Sequence, residues 1–168
     1  MDLAPFSHLA DDARLWTFVL SKALEGAALA RFEAGLAESL GTWRHKGQAY
    51  HAAFGLVGGQ VLVVAEPTMA TQPSGCAIEG LHRKVLRQAE VEGAHFQDED
   101  RVILATDAGY RAILRSELDQ AVAEGRLTAQ TPVLDRTLFC LGDLRSRALF
   151  PPAHRTWLGR KYGFSQGA

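Results

Sequence analysis

The chain has little of several features that identify common protein classes. Its two cysteines, Cys76 and Cys140, are too few for a disulfide framework, and no C-x-x-C pair indicates a zinc site. No run approaches the roughly 18 consecutive apolar residues of a membrane-spanning helix. The N-terminus begins acidic and lacks the basic and then apolar layout of a signal peptide. These absences favour a cytoplasmic protein with reduced thiols and no membrane association.

An excess of charge of one sign is also missing. Lysine and arginine together number 18 against 19 acidic residues, so the formal net charge is -1 and gives no general attraction to nucleic acid or anionic membranes. The phosphate-binding motif G-x-x-x-x-G-K-[ST] is absent as well, which argues against a P-loop ATPase. We therefore expect neither ATP nor a metal or cofactor as an obligatory component.

The residues that are present fit one globular domain over 1–168, with little order expected in 1–13 and 165–168. Hydrophobic residues make up 47% of the chain and charged residues 22%, which is the ordinary globular range. The alternation of predicted strands and helices indicates an α+β fold. It comprises a mainly antiparallel sheet of about five or six strands and about three helices.

Period-two and helical spacing of apolar residues locate these elements. The predicted strands are 15–24, 49–57, 60–66, 101–106, 110–115 and 133–141, and the predicted helices are 25–40, 75–92 and a short one ending at Glu124. Gly58-Gly59 predicts a tight hairpin turn because both residues tolerate positive φ. Ser116 and Asp119 are expected to form a capping box at the start of the short helix.

The segment TQPSGCAIEGLHR places Cys76 at the start of the predicted helix 75–92. With Ser74 as N-cap, the free amides of the first turn and the aligned peptide dipoles favour negative charge there. That environment lowers a thiol pKa, and it equally suits a small bound anion. The sequence therefore predicts a thiol-chemistry or anion-binding site that contains Cys76, Ser74, Gly75 and Ala77.

Nucleophilic catalysis by Cys76 would need a base within hydrogen-bond reach. His45 is the candidate base, and Trp43 in the same polar turn is expected to line the site. Arg101 and Arg136 are further candidates for binding the anion. A structural role for Cys76 stays open, since cysteine is often a buried small hydrophobe. Whether His45 approaches Cys76, and whether the protein is an enzyme, also stay open.

Two segments that mix basic and aromatic residues favour a different function. Residues 154–164, HRTWLGRKYGF, contain no acidic residue, and residues 42–47, TWRHKG, have a similar character. Basic groups for phosphates beside rings for stacking are typical of single-stranded nucleic-acid binding, and an exposed tryptophan is a typical anchor for a protein partner. The residues of this alternative are Arg44, Lys46, Arg155, Trp157, Arg160, Lys161 and Tyr162.

Four short motifs occur in order within residues 14–160. They are a W-x(2–3)-H/K-G turn at Trp43, His45 and Gly47, the helix start Ser74-Gly75-Cys76-Ala77-Ile78-Glu79, the pair Asp100-Arg101, and Thr131-Pro132-Val133. With these motifs the chain resembles a family of small uncharacterised bacterial proteins, some of which carry the label "ABC transporter ATPase". The resemblance implies a bacterial protein and adds weight to a functional Cys76. The family's acidic pair after the second hairpin strand corresponds here to Glu66 and Pro67.

Overall fold

The structure, a computed structural model, describes residues 1–45, 47–68 and 75–164, and for residues 45 and 75–77 it describes the backbone alone. The chain forms two compact units: unit 1 comprises residues 1–96 and 139–145, and unit 2 comprises 97–138 and 146–168. Helices are mixed with antiparallel strands, so the α+β class that the sequence predicts is confirmed.

The described elements follow one another as strands, helices and short 3-10 turns. In chain order they are β1 (Arg14–Val19), α1 (Gly26–Gly41), β2 (Arg44–His45), β3 (Gln48–Ala49), β4 (Ala53–Val57), β5 (Val61–Glu66), α2 (Gly75–Val91), β6 (Arg101–Thr106), β7 (Gly109–Leu114), α3 (Leu118–Ala123), α4 (Leu141–Ser146) and α5 (Trp157–Tyr162), with 3-10 turns at Ala4–Phe6, Arg115–Glu117 and Ala153–Arg155. Within the described residues the strands form one three-stranded sheet and two two-stranded pairs, all antiparallel.

Strand β5 is the centre of unit 1, because it pairs with β1 on one side and β4 on the other. All six of its residues are buried, as expected for a β-branched strand that is covered on both faces. The predicted turn between β4 and β5 is confirmed: Gly58 and Gly59 have φ of 56° and 65°. A Cβ on Gly59 would lie 2.2 Å from the backbone oxygen of Leu24, so this position requires glycine.

Helices α1 and α2 pack together and share one apolar cluster with β5. Phe32, Leu36, Leu81 and Val85 are buried in that cluster. At one end of α2, the guanidinium of Arg31 forms two hydrogen bonds with the Glu92 carboxylate, of 3.0 and 2.7 Å. The sequence placed both helices to within one residue at each end, since their apolar stripes are regular.

Unit 2 is built on the β6–β7 hairpin and has its own apolar cluster. Its buried members come from the hairpin, α3, the 126–134 segment, the 153–155 turn and α5: Val102, Leu104, Ile113, Leu118, Ala121, Leu127, Val133, Ala153 and Leu158. Segment 131–134 runs alongside β6, where the Leu134 N–H donates to the Ile103 carbonyl at 2.9 Å. This arrangement brings the loop that follows Leu134 to the open end of the hairpin.

The prediction of a strand over 133–141 is wrong. Val133 and Cys140 form isolated bridges only, and α4 already begins at Leu141. The physical reason is a local side-chain bond: the Asp135 carboxylate accepts hydrogen bonds from the Thr137 N–H at 2.9 Å and from its hydroxyl at 2.6 Å. Such an Asx turn competes with extended pairing.

The predicted capping box at Ser116 and Asp119 is also wrong. A 3-10 turn precedes α3, and the acid that caps it is Glu117, whose carboxylate accepts from the Leu114 N–H at 3.3 Å. Asp119 instead accepts a hydrogen bond of 2.6 Å from the Tyr162 hydroxyl. The tertiary contact therefore replaces the local cap.

Two further observations concern the ends of the chain and its helices. The first thirteen residues, for which the sequence predicts little order, contribute Phe6, Leu9 and Ala13 to the buried residues, whereas 165–168 lie outside the description. Across the described ranges, no helix combines the length and the apolar character needed to cross a bilayer.

A basic pocket as the candidate functional site

A cavity of about 640 Å³ lies within unit 2. Its volume falls in the range of roughly 300–1,000 Å³ that is typical of small-molecule sites. Six of its fifteen lining residues are arginines, and four are apolar residues of β6 and the 133–134 segment. We call it the basic pocket; its lining is Arg101, Val102, Ile103, Arg115, Val133, Leu134, Asp135, Arg136, Thr137, Arg147, His154, Arg155, Thr156, Trp157 and Arg160.

The hairpin and its neighbouring segment place three of the arginines. Arg101 opens β6 and pairs with Leu114 at the end of β7, so Arg115, the next residue, lies at the same end of the hairpin. The 133–134 segment runs antiparallel to β6, with Leu104 opposite Val133. Continuing that register carries Arg136 towards Arg101. Three arginines distant in sequence thus line one cavity.

The 153–155 turn and α5 supply the other wall. Gly159 allows them to lie close together, because a Cβ at this position would be 2.2 Å from the backbone oxygen of His154. The Thr156 hydroxyl accepts from the Leu158 N–H at 3.2 Å and donates to the Ala153 carbonyl at 2.9 Å, which fixes the start of α5. Arg155 and Arg160 are held on this wall.

The positive charges of the basic pocket are poorly balanced. It is lined by six arginines and one acidic residue, Asp135, whose carboxylate already forms a salt bridge with Arg147. No described residue forms a salt bridge with the remaining five, which are Arg101, Arg115, Arg136, Arg155 and Arg160. Like charges gathered around one cavity repel each other and attract an anion.

Arg136 is the most confined of these arginines. Its Nη2 atom is buried and has no hydrogen-bond partner among the described residues. Burial lowers the pKa of Arg136, the nearby Glu99 carboxylate partly opposes this, and the positive charge of Arg115 lowers the pKa further. One end of the guanidinium therefore lacks both solvent and a described acceptor, and the Glu99 carboxylate offsets its charge only in part.

Trp157 gives the basic pocket an aromatic surface. The Arg115 guanidinium carbon lies 5.6 Å from the centroid of the Trp157 ring, near the outer limit of a cation–π contact. Trp157 is 38% exposed, a large value for a tryptophan in a folded unit. The ring is thus accessible to a second planar group.

The basic pocket unites residues that the sequence assigned to two different hypotheses. Arg101 and Arg136 belong to the predicted anion site near Cys76, whereas Arg155, Trp157 and Arg160 belong to the predicted nucleic-acid surface. Sequence reasoning missed Arg115 and Arg147. The hairpin prediction gave a usable signal for Arg115, since it follows the strand that pairs with Arg101.

Other predicted residues occupy different environments. Trp43 is 3% exposed and stacks on Tyr50 with ring centroids 4.4 Å apart, which makes it part of the unit 1 core. Lys161 pairs with Asp119, to which the Tyr162 hydroxyl also donates. Arg44 is exposed on β2. None of these side chains lines the basic pocket as described.

The predicted Cys76 site lies largely outside the description. Helix α2 begins at Gly75, where the sequence placed its start, but Ser74 and Lys46 and the side chains of His45, Cys76 and Ala77 are not described. His82, further along α2, contacts the rings of Trp16 and Phe18 edge-on, with centroids 5.4 and 5.2 Å away. His82 therefore packs on the sheet.

Unit 1 contains a buried carboxyl group that sequence reasoning did not single out as functional. Glu66, the last residue of β5, is 2% exposed, and its Oε2 has no hydrogen-bond partner within the described ranges. Burial raises the pKa of Glu66, and the nearby Trp16 indole and Arg14 guanidinium oppose this only in part. Burial raises the pKa of Tyr50, and the negative charge of Glu66 adds to that increase.

Neither metal coordination nor similarity to known proteins identifies a function for this chain. No group of three or more His, Cys, Asp or Glu side chains in the described part of the chain could hold a metal ion. Comparison with protein-family models, curated proteins and solved structures gives no match. The resemblance to the small bacterial family therefore stays a prediction.

Proposed function

We propose that the protein binds a phosphate-bearing anion in the basic pocket of unit 2. The observation that carries the proposal is Arg136, whose buried Nη2 atom has no described hydrogen-bond partner and which lies among arginines that form no salt bridge with a described acid. A guanidinium does not deprotonate under ordinary conditions, because its pKa lies far above neutral pH. An anion from outside the protein is the direct way to compensate this charge.

Phosphate fits the lining better than a carboxylate does. A guanidinium presents paired N–H donors whose geometry matches two phosphate oxygens, and charge-assisted bonds of this kind are short and strong. A terminal phosphate carries a charge of about −1.5 to −2 and three acceptor oxygens, so one group can engage several arginines. Five unpaired arginines around one cavity suit two such groups more closely than one.

Calorimetric titration with inorganic pyrophosphate, in EDTA and at low salt, tests the proposal. We expect saturable binding at one site per chain, weakening as salt is raised because the contacts are ionic. The double variant Arg155→Ala/Arg160→Ala removes two exposed arginines from the α5 wall and should weaken binding about 100-fold, at roughly 1.5 kcal/mol for each charged contact. Arg111→Ala removes an exposed arginine of β7 outside the basic pocket and should leave the affinity unchanged.

Two outcomes would overturn this function. The first is the absence of pyrophosphate binding to the wild-type protein at low salt. The second is an equal loss of affinity in Arg111→Ala and in the double variant, which would show that only the general charge of the surface matters. A cytoplasmic location, expected from the cysteine content, belongs to the same proposal.

Thiol chemistry at Cys76 is the second candidate function. The start of α2 at Gly75 supports it, because Cys76 then lies in the first turn of a 17-residue helix, where free amides favour a thiolate. This candidate concerns unit 1 and is independent of the basic pocket. Its test is the thiol titration described in the Discussion.

A further inference from the structure

The exposed Trp157 in the basic pocket indicates which kind of chemical group is attached to the phosphate of the ligand. Trp157 lines the same cavity as Arg136, Arg155 and Arg160 and is 38% exposed. A ring of this size is normally covered in a folded unit, since burying apolar surface is favourable by roughly 25 cal/mol per Å². Its contact with the distant Arg115 guanidinium covers it only in part.

We infer that the ligand is a nucleotide whose base stacks on Trp157 while its phosphates contact the arginines of the basic pocket. This inference rests on the proposed function and adds the base to it. Every nucleobase offers a planar face, and stacking on an aromatic side chain is the usual means by which proteins hold bases without selecting a sequence. The cavity volume of about 640 Å³ is within the range of sites for molecules of this size.

The polar side chains around the cavity leave little capacity to distinguish one base from another. The Thr156 hydroxyl is bonded to Leu158 and Ala153, and the Thr137 hydroxyl is bonded to Asp135 and Arg147. A ring nitrogen of His154, Nδ1, lies 3.0 Å from the Ala129 carbonyl. Because these groups already have partners, we expect the site to accept purines and pyrimidines with affinities that follow stacking strength alone.

Tryptophan fluorescence measures this directly, because the chain has three tryptophans and the other two, Trp16 and Trp43, belong to the apolar cluster of unit 1. ADP, CDP and pyrophosphate are titrated in EDTA. ADP and pyrophosphate carry similar charge, so any difference in affinity reports the nucleoside. We expect ADP to bind about tenfold more tightly than pyrophosphate and to quench the fluorescence, with CDP between the two.

Two substitutions of Trp157 distinguish stacking of the base on an aromatic ring from simple contact with a large apolar side chain. Measured by calorimetric titration, Trp157→Phe keeps an aromatic face and should retain most of the preference for ADP over pyrophosphate, whereas Trp157→Leu should abolish that preference. A folded Trp157→Phe protein keeps the test valid if Trp157→Leu is unstable. A thymidine tetranucleotide is the last probe: binding tighter than that of CDP assigns the nucleotide to a single strand, and weaker binding assigns it to a free nucleotide.

The results distinguish this inference from the function on which it rests. Equal affinities for ADP and pyrophosphate, or a preference for ADP that survives Trp157→Leu, would overturn the inference and leave anion binding intact. Failure of both probes to bind would overturn the proposed function as well.

Discussion

Each unit of this protein contains an ionisable group with a buried polar atom and an only partly compensated charge, and the two groups have opposite signs. In unit 1, Glu66 ends the central strand β5 and is 2% exposed. In unit 2, Arg136 follows the segment that pairs with β6, and its Nη2 atom is buried in the wall of the basic pocket. Neither of these buried atoms, Glu66 Oε2 and Arg136 Nη2, has a hydrogen-bond partner among the described residues.

The chemistry of the two groups makes their consequences different. A buried carboxylate can take up a proton and become neutral, and this is why burial raises the pKa of Glu66. A guanidinium cannot become neutral in this way, since it stays protonated even where burial lowers its pKa. The carboxyl group can therefore be tolerated within the core, whereas Arg136 keeps a positive charge that the nearby Glu99 carboxylate offsets only in part. Their comparison supports a binding role for unit 2.

The largest effect is expected from a substitution that disrupts one wall of the basic pocket in unit 2. Gly159→Ala places a Cβ 2.2 Å from the backbone oxygen of His154 and should separate α5 from the 153–155 turn. We expect a loss of about 3 kcal/mol in the free energy of unfolding, measured by urea denaturation.

Gly80→Ala is the matched control for that substitution. Gly80 also lies in a helix, α2, but a Cβ there would meet nothing within 4 Å. This substitution should stabilise the protein by up to about 1 kcal/mol, since alanine has the higher helix propensity. Similar effects of the two substitutions would contradict the close contact at Gly159.

The next effect concerns the buried arginine itself. Arg136→Met keeps an unbranched side chain and removes the charge, so the ligand-free protein should gain about 1–2 kcal/mol in the free energy of unfolding. Arg111→Met, at an exposed site on β7, should change it by less than about 0.5 kcal/mol. A destabilised Arg136→Met protein would mean that the charge of Arg136 is already compensated.

The buried Glu66 carboxyl group of unit 1 predicts that the stability of the protein depends on pH. A folded-state pKa raised above the ordinary 4.5 means that the stability contributed by protonated Glu66 is complete below about pH 4.5 and is lost as pH rises through the folded-state value. Glu66→Gln mimics the protonated form. It should therefore be more stable than the wild type by about 1 kcal/mol at pH 8 and equally stable near pH 4.

Thermal unfolding of both proteins across that pH range provides the measurement. Glu33→Gln, an exposed position on α1, should show no such divergence from the wild type. If the stability of Glu66→Gln follows that of the wild type at every pH, burial does not raise the pKa of Glu66 in the folded protein.

The smallest effect is expected on the pKa of the Cys76 thiol in unit 1. In a Cys140→Ser background, the rate of Cys76 alkylation followed against pH should give a pKa below the ordinary value of about 8.5. Position 76 in the first turn of α2 is the reason. An unreactive thiol, or a pKa at the ordinary value, would remove the thiol-chemistry candidate and leave the basic pocket unaffected.

Local patterns were enough to predict much of the fold. The apolar stripes located α1 and α2, and Gly58-Gly59 located the β4–β5 turn, because these features depend on residues close in sequence. The strand predicted over 133–141 failed where a side chain intervened, since Asp135 bonds to Thr137 and turns the chain. Asp119 likewise bonds to the distant Tyr162 instead of capping its own helix.

The candidate site could be predicted only in pieces. The sequence identified Arg101, Arg136 and Trp157 as binding residues but assigned them to separate surfaces. What unites Arg101 with Arg136 is the pairing of β6 with the 131–134 segment, about thirty residues further along the chain. No periodicity reports a pairing of that kind, because it depends on tertiary structure. Nor does sequence show which charge will be left without a partner.

The most direct test of the central claim follows the unfolding temperature of the wild type and of Arg136→Met as pyrophosphate is added. Without ligand, the variant should unfold at the higher temperature. As pyrophosphate rises, the wild type should gain stability by mass action until its unfolding temperature passes that of the variant, which should respond little. If the two proteins respond equally to pyrophosphate, or if neither responds, Arg136 is not the anion-binding group and the account of the basic pocket is contradicted.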